Sequence, residues 1–288
     1  MRTYHDCVPC LLRGTVDAVR RVTPDEDVRE RVLRGVLEAA ARMDFRRPPP
    51  AMAQAAHRLI REAIGDADPY REAKQRTNAL ALELFPGLRR RVESSPDPFE
   101  AAARLAAAGN VIDVAAKTGL EETEIRAALE DSLDAPLDAG AVGRLKAAAT
   151  AARSILYVGD NAGEIVLDRL LVERLGSEKV TFAVRGAPVI NDATLADAEA
   201  SGMAALAGVV DSGSDAPGTI LEDCSADFRR RFAEADLVIA KGQGNYETLA
   251  GRAGRCGVFF LLRVKCPVIA RDTGRPLGSL VLTEESGR

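Results

Sequence analysis

Tryptophan is absent from the 288 residues, and tyrosine and phenylalanine number only four and eight. Platforms for stacking nucleic-acid bases would be poorly supplied. Charge does not replace them. The 39 Lys and Arg against 43 Asp and Glu give a formal net charge of −4, which argues against a chain built to grip a nucleic-acid backbone. Histidine is scarce as well: His5 and His57 are the only two, both in the first fifth of the chain. A histidine-rich zinc site and a Ser-His-Asp relay built on the later motifs are therefore disfavoured. Chemistry must rest on carboxylates, amides, Lys, Arg and backbone N–H groups, with or without a metal.

No apolar run approaches the roughly 20 residues that span a membrane. The opening Met1-Arg2-Thr3-Tyr4-His5-Asp6 carries no apolar secretory stretch, so the expected location is cytoplasmic. The cysteines Cys7, Cys10, Cys224, Cys256 and Cys266 are odd in number and widely spread, as suits reduced thiols. Cys7-x-x-Cys10 has no second pair at zinc spacing, so helix-lining thiols are the expected reading. His5 and His57 read as structural.

What is present is an ordinary globular composition, 47% hydrophobic and 28% charged. The length suits one large domain or two modest ones. The first half reads as helices. Thr23-Pro24-Asp25-Glu26 is a capping box opening a segment to about Met43. Pro48-Pro49-Pro50 precedes a helix to Ile64 with Gly65 as its stop. Asp68-Pro69 opens another, predicted to end before Pro86-Gly87. Asp97-Pro98 opens an Ala-rich helix closed by Gly109, and 118–133 and 139–153 continue the pattern.

Near Ser154 the texture changes. Strands are expected at 155–158, 180–184, 205–210, 237–240 and 258–262, with helical stretches between them. Such alternation predicts βα units in a mostly parallel α/β sheet. The expected division is a helical part over 1–150 and an α/β part over 151–288, with a soft boundary that admits one compact unit.

Ligands bind at the carboxyl ends of parallel strands. The first strand is followed by Gly159-Asp160-Asn161-Ala162-Gly163-Glu164. Arg185-Gly186 and then Pro188-Val189-Ile190-Asn191-Asp192 follow the second, and Lys241-Gly242-Gln243-Gly244-Asn245 ends the fourth. Asp160, Asn161 and Asp192 offer hard oxygen ligands that suit Mg²⁺ or Mn²⁺ and tolerate Co²⁺ or Ni²⁺. Gly163 stands where a helix begins, so its backbone N–H could hold an anion. Lys241 and Arg185 add positive charge, and Gly242 lets backbone approach a ligand. Together these describe a phosphate site. The bland readings are a tight βα turn, a helix cap at Asn191-Asp192 and a solvated Lys241. Neither a GxxxxGK[ST] loop nor a GxGxxG after the first strand is present.

These three motifs resemble those of the metal-dependent damage-control phosphatases. Asp6-Cys7-x-x-Cys10, Asp68-Pro69-Tyr70 with Lys74, and Gly109-Asn110-x-x-Asp113 extend the resemblance to the prokaryotic branch with an N-terminal cysteine pair. The resemblance implies a helical N-terminal part and a Rossmann-like part carrying the site. It implies a divalent-metal phosphatase acting on small phosphorylated metabolites such as sugar phosphates or cofactor-related phosphates. Asp160, Asn161 and Asp192 would hold the metal, with Asp160, Asn161 and Lys241 catalytic. Ala162, Gly163, Arg185, Lys241, Gly242 and Asn245 would bind the phosphate or support its loop. Asn110 and Asp113 would reach the same cleft. In the mechanism implied, water activated by the metal or by Asp160 attacks in line, and Lys241 with the N–H groups near Gly163 stabilises the transferring group. The alternatives are a methyltransferase on the same scaffold, a non-catalytic metabolite-binding module, and a metal-cluster or redox role for Cys7 and Cys10. No nucleic-acid or membrane partner is expected, and the oligomeric state is open.

Overall fold

The computed structural model describes residues 1–109, 122–254 and 257–287. The expectations for Asn110, Asp113, Cys256 and the start of the 118–133 helix fall outside them. Seven helices precede the sheet among the described residues: α1 (Cys7–Val22), α2 (Glu26–Ala41), α3 (Pro49–Ile64), α4 (Arg71–Glu93), α5 (Pro98–Ala108), α6 (Glu122–Leu133) and α7 (Ala139–Ala151). Then come β1 (Ile155–Val158), α8 (Glu164–Leu175), β2 (Val180–Val184), α9 (Leu195–Ala200), α10 (Met203–Leu206) and β3 (Gly208–Asp211). The chain continues with α11 (Ala226–Glu234), β4 (Leu237–Lys241), α12 (Gly242–Leu249), β5 (Val258–Arg263), α13 (Pro267–Thr273) and β6 (Leu280–Glu285).

The strands form one sheet in the order β3-β2-β1-β4-β5-β6. Every pairing is parallel except β5 with β6, which is antiparallel. Alternate strand residues face opposite cores. Ile155, Tyr157, Phe182, Ile239 and Phe259 pack on one side with α4–α10, while Leu156, Val158, Val238, Ala240 and Phe260 pack on the other with α11–α13. Central strands covered on both faces read as unbroken apolar runs, which is why β1, β4 and β5 stand out in the sequence.

Several local expectations change. Helix α1 is not marked by a capping signal, yet it buries Ala18 and Val19 in a separate small core with Val32, Val36 and Ile60. Helix α2 starts at Glu26 rather than at Pro24. Asp25 is its N-cap, accepting from the backbone N–H groups of Asp27 and Val28. Helix α4 runs through Pro86. A proline inside a helix costs about 3 kcal/mol. Burying Leu84, Phe85, Leu88 and Val92 around it outweighs that cost at about 1.5–3 kcal/mol each. Strand β3 starts at Gly208 because 203–206 is helical. Edge strand β6 has too short an apolar run to be read without its partner.

Helix α3 is tied to the loops beyond β2 and β3 by ionic contacts. Asp215 accepts from Gln54 Nε2 at 2.7 Å, from Arg58 Nε at 2.9 Å and from Arg61 Nη2, while Arg61 Nη1 donates to the Pro188 carbonyl at 2.6 Å. Burial alone would raise the Asp215 carboxyl, but the hydrogen bonds from Arg58, Gln54 and Arg61 prevail and hold it at about 2. An unfolded Asp titrates near 3.9. The clamp therefore contributes stability above about pH 4 that is lost as pH falls through the folded value. With screening at this half-open site, the contribution is roughly 1–2 kcal/mol. Urea midpoints of wild type and Asp215→Asn should differ at pH 7 and converge toward pH 2. A constant gap would remove the clamp from the account.

Candidate active site at the sheet switch point

Strand order reverses between β1 and β4, which are neighbours with the other parallel strands on either side. The crevice at their carboxyl ends is where doubly wound sheets take ligands. Strand β1 leaves as Gly159-Asp160-Asn161, and β4 ends at Lys241, followed by Gly242. The loop after β2 is stapled beneath the first motif. Asn161 and Asp192 form an isolated antiparallel bridge, the Ala162 N–H donates to the Asn191 carbonyl at 2.9 Å, and the Ala193 N–H to the Asp160 carbonyl at 2.8 Å. Ile190, just before this staple, is held at φ 45. A β-branched residue there stores about 1–3 kcal/mol of strain, so the surrounding bonds fix this loop firmly.

The predicted residues do converge. Asp160, Asn161 and Asp192 are all buried on the floor of the crevice. Asn161 Nδ2 donates to Asp160 Oδ2 at 3.0 Å and to Glu164 Oε1 at 2.8 Å. Arg185, almost fully buried, lies between the acids. Its Nε donates to Asp192 Oδ2 at 2.7 Å, its Nη2 stands 3.6 Å from Asp160 Oδ1, and its Nη1 donates to Asn245 Oδ1 at 3.3 Å. Burial first, and then the neighbouring Glu164 and Asp192, push the Asp160 carboxyl up to about 8. The Asp192 carboxyl is raised by burial as well, against the pull of Arg185.

Gly242 holds the centre together sterically. Its φ is +79, and a Cβ at this position would lie 1.9 Å from Asp160 Oδ2. The β4–α12 turn therefore presses backbone directly against the Asp160 carboxylate.

Three of the expected phosphate contacts have protein partners in the structure. The Lys241 ammonium, expected to face phosphate, is buried against acids on α8: Asp168 Oδ1 at 2.9 Å and Glu164 Oε2 at 3.5 Å. Burial would lower its pKa, but Asp168 and Glu164 prevail and raise it. The Gly163 N–H, expected to be free for an anion, donates to Asn78 Oδ1 at 2.7 Å, and the Ala162 N–H is engaged by Asn191. Asn245 is completely buried and acts as scaffold. Its Nδ2 donates to the carbonyls of Gly159 at 3.0 Å and Lys241 at 2.7 Å, and its Oδ1 accepts from Thr219 Oγ1 at 2.8 Å. It joins the ends of β1 and β4.

Other residues belong to the centre without having been assigned to it. Glu164 and Asp168 lie one helical turn apart on α8 and share Lys241, and Tyr157 Oη also donates to Asp168 at 2.8 Å. Their spacing was visible once α8 was drawn. Asn78 was not visible, because nothing local marks it. It belongs to a buried brace in which Lys74 Nζ meets Asp68 at 2.8 Å and Asp197 at 3.0 Å, and Asn78 Nδ2 donates to Asp197 at 3.0 Å. The Asp68 and Lys74 motif thus supports the crevice from behind.

Beside the crevice lies a cavity of about 1030 Å³ between α1, α3 and the α/β part, lined by Cys7, Cys10, Leu11, Ile190, Gln243 and Cys266 among others. Ile190 and Gln243 adjoin the two site motifs, so the cavity abuts the acidic centre. The described cysteines are free thiols. Burial pushes the Cys7 and Cys10 thiols up, and burial followed by Arg61 lowers His57 to about 4, leaving it neutral. Among the described residues, no three Asp, Glu, His or Cys side chains gather closely enough to hold a metal ion. The oxygen donors expected to hold a cation there are the Asp160 and Asp192 carboxylates and the Asn161 amide. No helix among the described residues is long and apolar enough to cross a membrane.

Comparison with known proteins follows the same motifs. Residues 3–281 match the damage-control phosphatase ARMT1-like domain. The chain is 34% identical over 280 residues to a damage-control phosphatase of Archaeoglobus fulgidus, with 96% of each chain covered. It is 32% identical over 285 residues to damage-control phosphatase PH1575 of Pyrococcus horikoshii, covering 98% of this chain and 97% of that one. A crystal structure of a DUF89 family protein from Pyrococcus horikoshii superposes with a TM-score of 0.87 at 31% identity, covering 98% and 99% of the two chains.

Proposed function

From the premise that the chain belongs to the damage-control phosphatase ARMT1-like family, we propose that it hydrolyses small phosphorylated metabolites with a divalent cation held by Asp160, Asn161 and Asp192. The observation that carries this reading is the charge on the crevice floor. Among the described residues, Asp160, Glu164, Asp168 and Asp192 are buried there with Arg185 and Lys241 as their buried ion-pair partners, so acid exceeds base. Buried charge left without compensation is costly, so the acids hold protons at raised pKa values, and a divalent cation would take the place of those protons. The donors are hard oxygens, which suit Mg²⁺ or Mn²⁺ and tolerate Co²⁺ or Ni²⁺. The Gly242 backbone packs against one side of the Asp160 carboxylate.

Bound there, a divalent cation supplies Lewis-acid polarisation of a phosphoryl oxygen and lowers the pKa of a bound water. The chain's own residues do the rest. Arg185 orients Asp192 and stands near Asp160. Asn161 is held by Asp160 and Glu164. Asn245 fixes the ends of β1 and β4 to each other, so the acids and the phosphoryl group meet in one geometry. Lys241 acts at a distance by neutralising Glu164 and Asp168. The adjoining cavity receives the alcohol portion of the substrate.

Phosphate release tests this reading. Chelator-treated protein should release no inorganic phosphate from a panel of sugar phosphates, nucleotides and p-nitrophenyl phosphate. Adding Mg²⁺, Mn²⁺, Co²⁺ or Ni²⁺ should restore release on at least one member. Folded protein that releases phosphate from none of them with any cation would overturn the reading.

A further inference from the structure

We propose that the cavity between α1 and α3 is a specificity pocket for an elongated, largely apolar alcohol portion, so that the substrate is an amphiphilic phosphomonoester; the inference rests on the phosphatase reading. Cys7, Cys10, Leu11, Gly14, Ala18 and Arg21 of α1 all line the cavity. Steps of three and four residues keep these positions on one face of the helix. At 1.5 Å per residue they extend about 20 Å, so the cavity is a trough along α1. One end of it meets the crevice. Asp6, at the start of α1, accepts from Arg271 of α13 at 2.8 Å. Gln243, next to the Gly242 that presses on Asp160, donates to Cys266 Sγ at 3.5 Å and lines the same end.

The middle of the trough is apolar. Leu11 and Ala18 line it from α1, and Met52, Ala53 and Ala56 from α3. The Thr15 hydroxyl among them is spent on the Leu11 carbonyl at 2.9 Å, and His57 is neutral. Polar groups gather at the ends, Gln243 and Glu247 by the crevice and Arg20 and Arg21 at the other. Small-ligand pockets enclose roughly 300–1000 Å³ and are mostly apolar with a few placed polar groups. At about 1030 Å³ the trough stands at the top of that range, and a sugar would leave most of it unfilled. Half-buried Met52 adds a side chain that adapts to irregular apolar ligands. Gly14 keeps the trough open. Glycine is disfavoured inside a helix relative to alanine. Nothing in the protein requires it here, since its φ is not positive and a Cβ would meet nothing within 4 Å. The bare backbone leaves room for a ligand chain at the midpoint of the trough.

Calorimetric titration of alkylphosphonates, ethyl to octyl, into the full chain with Mg²⁺ present reads the pocket without turnover, because their carbon–phosphorus bond is not hydrolysed. Affinity should tighten about threefold per added methylene as each leaves water for an apolar wall. Gly14→Leu, which favours the helix but fills the trough, should weaken octylphosphonate binding at least ~tenfold. Gly143→Leu is the matched control. Gly143 is also helical, on α7, with nothing within 4 Å of an added Cβ, and it stands outside the cavity wall, so the octyl affinity should not change. Wild-type affinity that does not vary with chain length would overturn the proposal, and so would equal octyl affinities in wild type and Gly14→Leu. Phosphate release from the ester panel beside a flat alkyl series would leave the phosphatase reading standing without the pocket. Chain-length-dependent binding in a wild type that hydrolyses no ester with any cation would overturn the phosphatase reading and leave the apolar pocket standing.

Discussion

Gly242→Ala is expected to lower phosphatase turnover at least ~100-fold in a protein that still folds. The new Cβ would sit 1.9 Å from Asp160 Oδ2 and 2.3 Å from its Cγ. Ordinary contact begins more than an ångström farther out, so the carboxylate must retreat. A misplacement of about 1 Å at reacting groups costs on the order of 10²-fold. The backbone adds its own penalty, because φ is +79 and alanine is disfavoured there by roughly 1–2 kcal/mol. In a chain of this size that is a melting shift of only a few degrees. Turnover should therefore fall far more than stability, which steady-state kinetics beside a thermal melt would show. Gly254→Ala, where a Cβ meets nothing within 4 Å, serves as the neutral control. Full turnover in Gly242→Ala would mean that Asp160 is not the fixed centre of the site.

Lys241→Met is expected to destabilise the fold by about 3–5 kcal/mol, the usual cost of removing one partner of a buried ion pair. The side chain is 1% exposed, and Asp168, with none of its surface exposed, would lose its cation and keep the hydrogen bond from Tyr157 Oη. Burial already raises Asp168 to about 6 against the pull of Lys241. Asp168→Asn keeps an oxygen that can accept from Tyr157 Oη and removes the stranded charge. The double variant Lys241→Met/Asp168→Asn should thus recover much of the lost stability, and a double-mutant cycle by urea denaturation measures the coupling. Additive losses would show that the pair is not a unit. A Lys241→Met protein of unchanged stability and raised KM would return Lys241 to the phosphate.

The strand ends and Lys241 show which parts of the site could be read in advance. Strands buried on both faces announce themselves, so 155–158 and 237–240 were legible, and the residues following them led to Asp160, Asn161, Lys241 and Gly242. The motif resemblance and the full-length match agree on the family. Side-chain direction was not legible. Lys241 ends its strand, but its partners sit on α8, and only the packed helix shows that the ammonium turns inward. The Gly163 amide looked like an anion donor until Asn78, 85 positions earlier, was found to accept from it. Such contacts depend on tertiary packing and have no local signature. Helix α1, the passage of α4 through Pro86, and β6 stayed hidden because packing overrides weak local signals.

The central claim is that Asp160 at the β1–β4 switch point is the heart of a phosphate-ester hydrolase. The most direct test compares phosphate release by wild type and Asp160→Ala on the best substrate, with cation supplied and folding checked by circular dichroism. A folded variant with turnover reduced at least ~100-fold is the predicted result. A folded variant that turns over at the wild-type rate would contradict the account.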